Sequence, residues 1–369
     1  MTDKYRIDGH KLDYHIDRVK EWNDGKQIAP LNIQLGICTH CNINCQFCYP
    51  QMQGRSRKLY NMPRESIFRL LKDSKEVGVT AIAFIGEGEN TLNPHLYDSL
   101  EYAHSINLDV SLATNGVDIK EDKMKVLLES LSWLRINISA ATKDSYELVH
   151  GADQFDKVID NIKKLVSIKK QYNLEVPIGL QFVIAEYNKD DIVPFAKLGQ
   201  ELGVDNITLK PVSDNAEGDL NSPLEEYTKM EDLFLEAESF STDTYDVVIK
   251  RSKIKEKGVK SYDKCYGTNF LIGINGRGDI FPCCHFAGVK NKEEYNMGNI
   301  IETSFKEIVK SKRYAEIQKK IQEVNMVTGC ESNCGHHYIN QFLFDIKKGK
   351  TNLDTFACPK TKRPCVNFI

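Results

Sequence analysis

Eleven cysteines fall into two groups with a long cysteine-free stretch between them. Cys38, Cys41, Cys45 and Cys48 stand near the start of the chain. Cys265, Cys283, Cys284, Cys330, Cys334, Cys358 and Cys365 stand near its end, and residues 49–264 contain none. The opening segment, MTDKYRIDGHKLDYHIDRVKEW, is too polar for a secretory signal. No run of about 18 apolar residues occurs, so no membrane span is expected and the location read from the sequence is cytoplasmic. In a reducing compartment, clustered cysteines are metal ligands or reactive thiols, not a disulfide framework. The split therefore demands a fold that builds two separate thiol-rich sites.

The intervening sequence alternates short apolar runs with longer amphipathic ones. Strands are expected at 31–37, 81–86, 108–114, 133–139, 176–184 and 206–212, each bounded by turn-forming or polar residues. Helices are expected at 63–78, opening on Pro63, at 154–173, at 189–203 ending on Gly203, and at 225–239. Along 154–173, Phe155, Val158, Ile159, Ile162, Leu165 and Val166 share one helical face. Six βα units imply a parallel sheet with right-handed crossovers. The expected fold is α/β: a partial (β/α)6 TIM-like barrel followed by a smaller C-terminal domain. Barrels of this kind do their chemistry at the C-terminal ends of the strands, and the first cysteine group begins directly after the first strand.

After about residue 250 the pattern changes. FLIGINGRGDIFPCC reads as a hairpin turning at Asn275-Gly276-Arg277-Gly278. A helix over 304–322 follows, with a capping-box start at Ser304 and Glu307. The basic stretch 251–260 reads as a linker or as a solvated helix end. The expected organisation is an N-terminal extension (1–30), the barrel (31–250) and a C-terminal cysteine-rich domain (251–369). Charged residues make up 27% and the net charge is −3, with no basic stripe, so nucleic acid is not an expected partner.

Cys41-Asn42-Ile43-Asn44-Cys45-Gln46-Phe47-Cys48 has the spacing C-x3-C-x2-C. Three thiolates on one tight loop can hold three irons of a four-iron cube and leave the fourth open for chemistry. Taken alone, the loop also allows a zinc knuckle. With Phe47 just before the last cysteine, it resembles the signature of the radical S-adenosylmethionine (SAM) superfamily. That resemblance implies a [4Fe–4S] cluster whose open iron is chelated by SAM. It also implies reductive cleavage of SAM to a 5′-deoxyadenosyl radical. Ile85-Gly86-Glu87-Gly88-Glu89-Asn90 follows the second strand where the family carries a Gly-Gly-Glu-Pro-like turn for the SAM amino group. Gly88 and Glu89 match best, and Asn90 stands where the family has proline. Thr114-Asn115-Gly116 ends the third strand and Ser139 the fourth; both are similar to family positions near the methionine and ribose of SAM. Cys38 and His40 read as neighbours of the site, not ligands.

Cys265 and Cys283 flank the hairpin, and Cys330-x3-Cys334 follows. With Gly278-x4-Cys283 and Met297-Gly298-Asn299-Ile300, this half resembles the SPASM domain or its shortened "twitch" form. The resemblance implies an auxiliary [4Fe–4S] cluster. A full SPASM domain has more cysteines in its later half, so one cluster on Cys265, Cys283, Cys330 and Cys334 is expected; a zinc site on the same four remains the alternative. Cys358 or Cys365 could instead complete that cluster. Cys284 and Cys358 are candidate hydrogen donors to a substrate radical, and His336 and His337 are candidates to face a substrate.

KLDYHIDRVKEW and PCVNFI are similar to parts of a radical SAM/SPASM group associated with bacterial carbohydrate clusters. No long N-terminal domain of the kind that grips a leader peptide precedes the first cysteine loop. Both points favour a small polar substrate, a sugar or aminocyclitol derivative, undergoing dehydrogenation or epimerisation. The electron donor implied is a flavodoxin or ferredoxin. The alternatives are a ribosomal-peptide maturase that crosslinks or epimerises its substrate, and a non-catalytic Fe–S electron-transfer or sensor protein.

Overall fold

A computed structural model describes residues 4–54, 58–215, 217–288, 292–356, 359 and 365–369. Its centre is a nine-stranded sheet: β1 (Asn32–Leu35), β2 (Ala81–Phe84), β3 (Asp109–Thr114), β4 (Trp133–Asn137), β5 (Ile178–Ile184), β6 (Asn206–Pro211), β7 (Asp246–Ile249), β8 (Leu271–Ile274) and β9 (Ile280–Phe281). The spatial order is β7-β6-β5-β4-β3-β2-β1-β8-β9. The first seven strands run parallel in sequence order, each crossing over through helix. The six expected strands are all present. β7, only four residues long and preceded by polar residues, was not expected.

The hairpin forms as read, with β8 and β9 antiparallel through Gly273↔Phe281 and Ile274↔Ile280. Its wider placement is new: β8 pairs in parallel with β1, Asn32↔Leu271 through Leu35↔Ile274. The C-terminal segment thus extends the barrel sheet beside the strand that carries the first cysteine loop. The stretch read as a linker or a solvated helix end contains a helix, Arg251–Glu256, whose Ile254 is buried in the main core and which ends at Lys257 in the left-handed region. The helix expected over 304–322 is two, Phe305–Ile308 and Lys312–Ile321. Ser311 is the reason: its hydroxyl accepts from Tyr314 N and caps a fresh helix, as Ser304 caps the first through Glu307 N.

Alternation along the strands sorts two faces. Ile33, Leu35, Ile82, Phe84, Val110, Leu112, Leu134, Ile136, Leu180, Phe182, Ile207 and Leu209 pack outward in the core shared with the helices. Val158, Ile162, Leu165 and Val166 of Phe155–Gln171 are buried there, on the face the sequence indicated. The inward face carries different residues. Ala81, Ala83, Ile85 and Trp133 form its lower part, closed by Phe368 from the end of the chain, with Trp133 and Phe368 edge to face. A second core joins the N-terminal extension to the C-terminal helix His337–Lys347, through Leu12, Ile16, Val19 and Trp22 against Ile339, Phe342 and Leu343. Among the described residues no helix is long and apolar enough to cross a membrane.

Candidate active site

The first cysteine loop leaves the C-terminal end of β1 and is held there by buried side chains. Asn90 accepts from Ile37 N at 2.9 Å and donates to Leu35 O at 3.2 Å. Asn93 donates to Ile37 O and Met62 O. An asparagine thus stands where the resemblance expected proline, and its amide satisfies the backbone where β1 ends. The turn after β2 lies directly on the loop: a Cβ at Gly88 would fall 2.3 Å from Cys38 O and 2.6 Å from His40 O, so only glycine fits. Glu89 N donates to His40 O at 2.8 Å.

Glu89 is buried, with both carboxylate oxygens engaged. Oε1 accepts from Thr91 N, Thr91 Oγ1 and Thr114 Oγ1, and Oε2 accepts from Asn115 N at 2.8 Å. Burial raises its pKa, against the pull of these donors. Asn115 continues the chain of contacts, donating to Asn42 Oδ1 at 2.6 Å and reaching Cys41 Sγ at 3.7 Å. Gly88, Glu89, Thr114, Asn115 and Cys41 are therefore one connected group. Ser139 is apart from it: fully buried, its hydroxyl accepts from Val183 N at 3.0 Å. Phe47 packs with Val183, Ala185 and Val212.

The sequence reading missed His150. Its Nδ1 lies 3.0 Å from Cys45 Sγ, and its ring is enclosed by Tyr146 and Phe47. Burial lowers its pKa to about 4, so the ring is neutral. A Cys45 thiolate requires the proton on Nδ1, which leaves Nε2 as a buried acceptor with no partner among the described residues.

The second cysteine group gathers from three segments. The Cys330 and Cys334 thiols contact each other, and Cys265 and Cys283 both lie close enough to feel charge on Cys334. Cys334 is the sulfur that ionises most readily, because Cys330, His336 N–H and the His336 ring all favour its thiolate. The loop that carries it fills the open side of the barrel. Ser332 N donates to Asp214 O, Asn333 Nδ2 to Val212 O, and Lys253 Nζ to Asn333 O and Cys334 O. Tyr49, next to Cys48, ties the two regions together through its hydroxyl, 2.9 Å from His285 Nδ1. Cys284 Sγ lies 3.8 Å from Oε2 of Glu331, a carboxyl that burial raises to about 7.

Two expectations are corrected, and a third is untested. Cys365 does not join the second group; its thiol sits 3.4 Å from Ser132 O at the lower end of the barrel, where the tail is anchored by Lys11 and Asp109. His336 and His337 do not face a substrate. His336 Nε2 contacts Leu271 O at 2.9 Å, and His337 lies between Glu256 and Tyr262. Cys358 lies outside the described residues.

The donor sets suit iron–sulfur clusters. All ten described cysteines are thiols, and polar N–H groups point at Cys41, Cys45 and Cys334, as second-sphere donors to cluster thiolates do. Among the described residues no three His, Cys, Asp or Glu side chains close on one metal ion. Thiolates around a multi-iron cluster need not, since each binds a different iron.

The comparisons agree. Residues 36–198 match the radical SAM superfamily and residues 265–335 match an iron–sulfur cluster-binding domain of the SPASM type. A probable GTP 3′,8-cyclase of Saccharolobus islandicus (strain M.14.25 / Kamchatka #1) is 31% identical over 187 residues, 50% of this chain and 57% of that protein. A probable GTP 3′,8-cyclase of Sulfurisphaera tokodaii is 27% identical over 187 residues. The chain thus spans little more than half the length of these relatives. Streptococcus suis SuiB bound to S-adenosylmethionine superposes with a TM-score of 0.65 at 17% identity, covering 87% of this chain and 76% of that one. The anSMEcpe structure with bound AdoMet gives 0.58 at 18% identity, covering 87% and 93%. At such identities the likeness speaks for the fold alone. The two domain types bring a SAM-binding [4Fe–4S] cluster, SAM and an auxiliary Fe–S cluster, and the chain carries a radical SAM superfamily domain followed by a SPASM domain.

Proposed function

We propose that this enzyme is an oxidoreductase or isomerase acting on a small polar substrate, a sugar or aminocyclitol derivative, held inside the barrel mouth. When bound, the cluster and SAM supply the 5′-deoxyadenosyl radical that takes a hydrogen atom from the substrate. Cys41, Cys45 and Cys48 hold the cluster. Gly88 lets the turn after β2 lie on the cysteine loop, Glu89 presents a carboxylate to the SAM amino group, and Thr114 and Asn115 fix that carboxylate. Ser139 orders the β4–β5 edge of the site, and Phe47 shields it from water. Cys265, Cys283, Cys330 and Cys334 hold the auxiliary cluster, and Cys284, beside Glu331, is the thiol placed to return hydrogen in an epimerisation. A flavodoxin or ferredoxin in the cytoplasm is the reductant.

The observation that carries this reading is the continuous contact from Cys41 through Asn115 and Glu89 to Thr114, at the C-terminal ends of β1, β2 and β3. The test is anaerobic reconstitution followed by dithionite and SAM. The wild type is expected to form 5′-deoxyadenosine, and a Cys41/Cys45/Cys48→Ala variant none. A fully loaded wild type that neither forms it nor perturbs its cluster spectrum on adding SAM would return the chain to the electron-transfer reading. With turnover established, Cys284→Ala separates the two outcomes: loss of product marks epimerisation, and retained product marks dehydrogenation.

A further inference from the structure

Two cations on the inner wall of the barrel form no ion pair among the described residues. Arg135 on β4 alternates with outward-packing Leu134 and Ile136, and Lys210 on β6 follows outward-packing Leu209, so both point inward. Arg135 lies over the Trp133 ring at 5.3 Å, but its Nε is buried without a hydrogen-bond partner among the described residues. No acceptor approaches Lys210 Nζ among those residues either. Both side chains stay partly exposed while Leu134, Ile136 and Leu209 are sealed, so solvent reaches the interior beside them; through β5, Arg135 is in register with Gly179 and Lys210 with Val183, nearer the strand ends. Below it, Trp133 and Phe368 form an apolar floor.

The surroundings deepen the imbalance. Lys250 and Lys253 are also enclosed here, though each donates to backbone carbonyls, of Ile7 and of Asn333 and Cys334. Asp8, Glu256 and Glu331 are the acids that bear on these lysines. Burial, then repulsion from Arg135 and Lys253, lowers the pKa of Lys210 to about 7. Unpaired buried charge is costly, and a chain keeps it where a ligand supplies the counter-charge.

We propose that Arg135 and Lys210 form the anchor for an anionic group, phosphoryl or carboxylate, on the substrate. This deepens the small-molecule reading above: an acidic or phosphorylated derivative fits, whereas a free aminocyclitol would bring like charge. The guanidinium presents paired donors to two oxygens and the ammonium a point charge to a third. The apolar floor limits how deep the anion descends, so the rest of the substrate lies toward the cysteine loop.

The test is equilibrium dialysis of the reconstituted full chain against radiolabelled inorganic pyrophosphate and, separately, radiolabelled citrate. Retention of pyrophosphate marks a phosphoryl substrate; retention of citrate marks a carboxylate. Lys210→Met and Arg135→Gln should each weaken retention about ten- to hundredfold. Lys210→Arg should restore it, and exposed Lys197→Gln should leave it unchanged. The proposal falls if the wild type retains neither anion at millimolar concentration, or if Lys210→Met retains it equally. It also falls if both variants lose thermal stability along with binding, since the cations would then be structural. The same preparation is assayed for 5′-deoxyadenosine. Anion retention with neither that product nor a SAM-induced change in the cluster spectrum defeats the enzyme reading and keeps the anion site; product without retention does the reverse.

Discussion

The two cysteine regions are built on opposite plans. The first takes its thiols from eight consecutive residues on a loop leaving β1, and its support comes from neighbouring strand ends. The second draws cysteines from segments separated by up to 46 intervening residues and rests on side chains reaching across the open barrel. Local spacing forms the first before any ligand arrives. Ligand binding must help close long loops to form the second, and closing loops costs chain entropy that the bound group offsets. The largest expected contrast follows. Cys45→Ala should abolish 5′-deoxyadenosine formation yet leave the thermal midpoint within about 2 °C. Cys334→Ala should lower the midpoint by about 5 °C or more, as losing a few kcal/mol of closure would. Equal shifts in scanning calorimetry would erase the distinction.

Lys210 sharpens the contrast from between the two regions. Below about pH 7 its ammonium is charged in both folded and unfolded chains, and the folded protein bears the full burial cost. Between about 7 and 10.5 the unfolded chain holds a proton that the folded one lacks, so stability rises with pH through this group. Arg135, Lys253, Glu331 and Cys284 are the charged or titratable groups facing it. Lys210→Met should therefore stabilise the ligand-free protein by about 2–3 kcal/mol at pH 6, discounting for its partial exposure, with the gain fading toward pH 10. Denaturant melts across that range check the sign. A loss of stability at pH 6 would mean that the lysine is paired in solution.

A smaller effect belongs to the seat of the first loop. Gly88→Ala puts a methyl group against Cys38 O and His40 O, and backbone there cannot retreat freely. The expected cost is about 1–3 kcal/mol, with weaker SAM binding because Glu89 moves with the turn. Wild-type stability and SAM affinity would show that the loop floats above β2.

How much of this was legible follows the same divide. Six strands, the hairpin and the spacing of Cys41, Cys45 and Cys48 depend on residues near one another in sequence, and all could be read there. The pairing of β8 with β1 could not, because nothing within Leu271–Ile274 says which strand it joins. His150 is 105 residues from Cys45, and a single histidine at a helix end carries no motif. Arg135 and Lys210 look like ordinary strand cations until the outward packing of their neighbours turns them inward. His336 and His337 erred the other way: adjacency to Cys334 suggested function, while their rings serve Leu271, Glu256 and Tyr262.

The finest test of the comparison concerns the histidines. Each region sets one beside a cysteine, but differently: His150 offers only its ring Nδ1 to Cys45, at 3.0 Å, whereas His336 offers Cys334 its backbone N at 3.3 Å as well as its ring. An N–H directed at a ligating sulfur draws charge from the cluster and makes reduction easier. Only the His150 contact is removed whole by changing a side chain. His150→Phe keeps the ring volume between Tyr146 and Phe47 and removes the unpartnered Nε2, so stability should hold. The potential of the SAM-binding cluster should fall by about 50 mV, the loss of roughly one hydrogen bond to a one-electron couple. The auxiliary cluster should stay unchanged. A redox titration followed by electron paramagnetic resonance reads both clusters in one sample. A shift in both would place His150 in a general electrostatic role, and a shift in neither would mean that the Nδ1 contact breaks when Cys45 takes up its iron.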